Sequence, residues 1–116
     1  MSHPTDRITA AQHPQHGPAL ALAALLTEHP ELPPLHWSIT DDGVLRGSGH
    51  GPDQRGTIGA YVTVLGGTPL PPSLFNFQHR QLVSEVLFTT WRDIPVTLAL
   101  TSSIKEYPEL REERAA

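Results

Sequence analysis

The chain has 116 residues and a mass of 12.7 kDa, with eight Lys and Arg against twelve Asp and Glu, a formal net charge of −4. That length suits one domain and is too short for two. With no cysteine in the chain, disulfide scaffolds, thiolate zinc sites, iron–sulfur clusters and thiol nucleophiles are excluded together.

Residues 1–16, MSHPTDRITAAQHPQH, carry no apolar stretch and no periodicity. They predict a disordered N-terminal arm without a secretory signal. Gly17-Pro18 opens the first predicted helix, with proline suited to a first turn. Leu22, Leu25, Leu26 and His29 follow at i, i+3, i+4 and i+7, among alanines that favour helix. Pro30 ends the helix, and HPELPPL (29–35) is a stiff connection. Leu35, Trp37 and Ile39 then alternate with His36, Ser38 and Thr40, the period of a half-buried strand. Asp41-Asp42-Gly43 is a turn, and Val44 to Ser48 is the return strand.

GSGHG (47–51) closes that strand, and Pro52-Asp53 starts a second helix with Asp53 near its cap. Ile58, Tyr61, Val62 and Leu65 make its apolar face, and Gly66-Gly67 stops it. Gly56 and Gly59 weaken this helix by about 1 kcal/mol each relative to alanine. In residues 68–81, TPLPPSLFNFQHRQ, three prolines precede Leu74, Phe75 and Phe77. The stretch reads first as a flap or extra strand folded onto the domain's own core, and second as a partner-binding or self-association surface. Leu82 to Trp91 is a strand and Arg92-Asp93 a turn. Ile94, Val96, Leu98 and Leu100 alternate with Pro95, Thr97, Ala99 and Thr101 in the cleanest period-2 run of the chain. Pro95 lacks an N–H, so this strand starts there or lies at an edge. Residues 104–116 are charged and broken by Pro108, a loose tail or a short surface helix.

The predicted order is helix-strand-strand-helix-strand-strand. It implies an α+β two-layer sandwich, an antiparallel sheet with two helices on one face. The expected organisation is a disordered arm at 1–16, a single domain at 17–105 and a charged C-terminal tail at 106–116. The longest apolar run, Ala19 to Leu26, is eight residues, far short of a membrane span. A soluble, cytoplasmic protein with no membrane partner is the expectation.

Chemistry-bearing residues are sparse. His13 and His16 lie three apart, but Pro14 denies them a helix, and the remaining histidines have no metal-ligand spacing. GSGHG matches neither the dinucleotide fingerprint nor the P-loop, and GxSxG is absent. No catalytic set, metal site or cofactor is assigned, and the reading leans away from an enzyme. Glu85 is the only carboxylate in an apolar neighbourhood. The net negative charge disfavours nucleic acid, which a basic face of Arg46, Arg55, Arg80 and Arg92 would revive. Three large apolar side chains in four residues make Leu74, Phe75 and Phe77 the candidate interface, with homodimerisation as one form of it. His36, Trp37, Tyr61 and Trp91 are the candidate lining of a pocket between helices and sheet.

ALAALLTEHPELPPLHWSIT, DDGVLRGSGHG, a second helix and WRDIPVTLAL together resemble small uncharacterised proteins common in actinobacteria, some associated with mobile elements. The resemblance covers about residues 18–102 and implies no activity and no site residue. The leading expectation is a small non-enzymatic protein-interaction or regulatory accessory protein. The alternative is a small-molecule-binding domain or enzyme with its pocket between helices and sheet.

Overall fold

The structure, a computed structural model, describes residues 13–110. The elements are α1 (His16–Glu28), β1 (His36–Ile39), β2 (Leu45–His50), α2 (Gln54–Leu65), β3 (Ser73–Phe77), β4 (Arg80–Trp91) and β5 (Ile94–Ser103). A 3-10 turn at Ile104–Glu106 follows, and a further helical turn occupies 108–110. The fold is α+β around one mixed sheet of five strands in the order β1-β2-β5-β4-β3.

Two features of the sheet depart from the sequence reading. First, it has a fifth strand, because Ser73–Phe77 pairs antiparallel with β4, Phe75 opposite Leu82 and Phe77 opposite Arg80. The two residues joining these strands, Gln78 and His79, have φ of 50° and 65°. Positive φ at both central residues is the turn geometry that matches strand twist in a two-residue hairpin. Second, the sheet is not wholly antiparallel. β2 runs parallel to β5, Leu45 beside Val96 and His50 beside Thr101. The β4–β5 hairpin docks onto β2 through β5, whose alternating Val96, Leu98 and Leu100 place it at the centre of the sheet. A parallel pair needs a long crossover, here supplied by α2 and the β3–β4 excursion. Pro95 is the second residue of β5, and pairing with β2 begins one residue later at Val96, so the missing N–H interrupts no β2–β5 bond.

The helices cover one face of the sheet. Leu25 of α1 and Ile58 and Tyr61 of α2 bury against Leu45, Leu87, Val96, Leu98 and Leu100. Gly47 allows this packing on β2. A Cβ there would lie 2.8 Å from Leu98 Cδ2 and 2.9 Å from Trp37 Cζ3. Gly66, at φ 80°, ends α2 in a conformation that side-chain-bearing residues avoid. Asp53 is the N-cap residue, as expected, but its side chain makes no cap bond and it is left-handed at φ 63°. Its carbonyl instead accepts the Thr57 hydroxyl at 3.0 Å.

The segment read as a tail joins this layer. Tyr107 is buried with Val83 and Ile104, and Leu74 and Leu110 pack against them. Its hydroxyl donates to the buried Glu85 carboxylate. Arg55, at the start of α2, lies 4.4 Å above the Tyr107 ring, donates to the Glu106 carbonyl at 2.9 Å and pairs with Glu109 at 2.5 Å. The arm expected at 1–16 lies largely outside the described residues. Of its last residues, His16 begins α1, and Gln15 donates to the carbonyls of Ile39 and Thr40. Residues 111–116 of the expected tail also lie outside them.

Candidate binding face

Successive strand residues point to opposite faces, so the burial of Val83, Glu85 and Leu87 beneath the helices leaves Leu82, Ser84, Val86 and Phe88 on the far side of β4. The same alternation puts Thr97, Ala99, Thr101 and Ser103 of β5 there, with Arg46, Ser48 and His50 of β2 and His36 of β1. No described helix covers this second face. Its apolar content is high for an open surface: Phe88 is 61 % exposed, Phe77 56 % and Phe75 39 %. None of its strand residues is acidic, although the chain as a whole is negative. Its charged and titratable strand groups are Arg46, Arg80, His36 and His50.

Phe75 and Phe77 share this face because they lie two apart on β3 and pair with Leu82 and Arg80 of β4. Leu74 turns the other way and packs against Val83 and Tyr107. The candidate interface residues are therefore split, two aromatic side chains on the open face and Leu74 in the core layer. Beside the aromatic pair lies a groove of about 690 Å³, formed where β3 ends, β4 begins and the chain leaves β5. Phe75, Phe77 and Leu82 form its apolar wall, and His50, Arg80 and Lys105 stand around it with Glu106.

The four residues expected to line a pocket between helices and sheet do not line one together. Tyr61 is buried and donates to the Pro33 carbonyl at 2.6 Å. Trp37 meets it edge-on at 6.0 Å, and the buried Trp37 Nε1 finds no acceptor among the described residues. Trp91 packs near the other end of the core, its Nε1 donating to the Ala21 carbonyl at 2.9 Å and its ring 5.8 Å from His29. His36 is exposed on the opposite face. Aromatic residues with a polar tip fill a core well when backbone carbonyls take their hydrogen, which is the role of Tyr61 and Trp91. Burial pushes the Tyr61 hydroxyl up to about 12. It pushes Tyr107 up as well, and the Glu85 carboxylate adds to the effect.

The four arginines that would compose a basic face are dispersed. Arg55 clamps the C-terminal segment, and the Glu109 hydrogen bond holds its guanidinium pKa above the usual value. The same bond lowers that of Glu109. Arg92, in the β4–β5 turn, pairs with Glu28 of α1. Of the four, only Arg46 and Arg80 reach the open face, and they stand at opposite ends of it. Among the described residues no three His, Asp or Glu approach one another as a metal-ligand set, and no helix is long and apolar enough to cross a membrane.

Sequence reasoning singled out Phe75 and Phe77 but not Leu82, Arg80, Lys105 or His50 as their neighbours. The pairing of β3 with β4 was the missing step, and only a strand assignment for 73–77 supplies it. Compared with family profiles, with characterised proteins and with solved structures, the chain matched none.

Proposed function

We propose that the chain is a non-enzymatic protein-binding module that pairs with a second copy of itself along β3. The observation that carries this reading is the unguarded edge at Ser73–Phe77. β3 is an outer strand of the sheet, and its five residues contain neither a charge nor a proline. Edge strands ordinarily carry such residues, or a bulge or cover, to prevent pairing with another chain. The opposite edge, β1, has four residues and follows Pro33-Pro34, which makes it a shorter template.

Antiparallel self-pairing centred on Phe75, the middle of the strand, keeps all five residues of each copy in register and sets Phe75 of one copy opposite Phe75 of the other, on one face. A cross-strand aromatic pair contributes about 0.2–1 kcal/mol beyond the backbone bonds. A strand free of charge brings no like charges together. The groups gathered on the open face favour binding over chemistry, since none forms a nucleophile, base and orienting partner in sequence.

Sedimentation velocity over a concentration series tests the proposal. Wild type should run as a dimer at high concentration, and the Phe75→Ser/Phe77→Ser double variant as a monomer with nearly unchanged melting temperature. A wild type that is monomeric throughout, or a variant that still dimerises, overturns the proposal. Unfolding of the variant also overturns it, because it would make the pair part of the protein's own core.

A further inference from the structure

We infer that the groove beside Phe77 is a binding site for a small amphipathic carboxylate, a single anionic head on an aliphatic or aromatic body. Three features converge there. The volume, about 690 Å³, lies in the range of small-molecule sites, roughly 300–1,000 Å³. One wall is apolar, built by Phe75, Phe77 and Leu82. Arg80, which pairs with Phe77 across the β3–β4 ladder, and Lys105 also line it.

The two fixed cations set the sign of the ligand. Arg55 and Arg92 are each held by a carboxylate, whereas among the described residues neither Arg80 nor Lys105 meets one at ion-pair distance. Glu106 is the one carboxylate-bearing residue lining the groove. Two cations against one carboxylate leave a positive balance in a chain whose overall charge is negative. A neutral apolar ligand would use the phenylalanine wall alone and gain nothing from the cations. A polyanion would meet Glu106 and gain nothing from the phenylalanine wall. A monoanion with an apolar body matches both the cations and the phenylalanine wall. The Arg80 guanidinium can hold a carboxylate by two parallel hydrogen bonds.

This site does not depend on self-pairing. Edge-to-edge association extends the sheet in its own plane, Phe75 and Phe77 then stand at the seam as well as in the groove wall, and Arg80 and Lys105 lie outside β3.

Octanoate, 1-octanol and octylammonium, titrated separately and followed by amide chemical shifts, test the inference on the full chain. Octanoate should shift residues 75–82 and 103–106 saturably, with 1-octanol at least about tenfold weaker and octylammonium weaker still. Arg80→Gln/Lys105→Gln should weaken octanoate about tenfold and leave 1-octanol unchanged. Should that variant fail to fold, the wild type decides: high salt must weaken octanoate and spare 1-octanol. Absence of saturable octanoate binding, equal affinity for 1-octanol, or shifts confined to the helical face overturns the inference.

Discussion

Replacing Tyr107 by Phe removes one oxygen and isolates one interaction. Tyr107 is 1 % exposed and Glu85 8 %, and the hydroxyl donates to that carboxylate from the segment that follows the last strand. Glu85 lies opposite Leu100 on β5 and between Val83 and Leu87 on its own face, so water is not at hand to replace the lost donor. A hydrogen bond to a charged group is worth about 1.5–3 kcal/mol net, and leaving a buried partner unsatisfied costs a similar amount. In a domain of this size each kcal/mol lowers the melting temperature by about 4–8 °C. Tyr107→Phe should therefore shift the urea midpoint clearly downward with the slope unchanged. Glu85→Leu should also destabilise, by removing the carboxylate that accepts from the Tyr107 hydroxyl. The double variant removes both polar groups, so its loss should be smaller than the sum of the two singles by about 1–3 kcal/mol. Strict additivity of the two changes would refute the coupling and with it the C-terminal clasp.

Alkaline titration offers a second check. The chain has two tyrosines, Tyr61 and Tyr107, and burial raises both, Tyr61 to about 12. Unfolded tyrosine titrates near 10, so above that pH the unfolded state loses protons first. The contribution is whole below about pH 10 and falls as pH rises, by up to about 1.4 kcal/mol per pH unit for each tyrosine, the Tyr61 part being lost as pH passes through about 12. Phenolate absorbance should appear together with loss of ellipticity, and phenolate in a still-folded protein near pH 10 would contradict the burial. Gly47→Ala should destabilise by about 1–3 kcal/mol in chemical denaturation, because its Cβ would crowd Leu98 and Trp37; a neutral result would contradict the close packing on β2.

The sequence showed elements wherever local chemistry and burial agree. Both helices, the apolar spacing of α2, the Gly66-Gly67 stop and the Asp41-Asp42-Gly43 turn reappear in the structure, whereas α1 is rotated from its expected face: Ala21 and Leu25 are buried and Leu26 is 47 % exposed. The Arg92-Asp93 turn reappears too, both residues at positive φ. β3 was legible only as an alternative to a flap. Its proline-rich lead hid a five-residue run, and the Gln78-His79 turn has positive φ without the glycine or asparagine that announces it. The parallel pairing of β2 with β5 leaves no local trace, since it depends on which side of a distant hairpin meets β2. Tyr107 lay beside a proline in a charged run, and only Val83, Glu85 and Arg55, all far away in sequence, explain its burial. At the candidate site, the aromatic pair was visible from composition. Its cationic neighbours were not, because they arrive from β2, β4 and the chain leaving β5.

Hydrogen exchange of β3 across a protein concentration series tests self-pairing most directly. The account predicts that amides within Ser73–Phe77 gain protection as concentration rises, while those of His36–Ile39 at the opposite edge do not. Protection in β3 that is independent of concentration, or a rise at β1 instead, would contradict it.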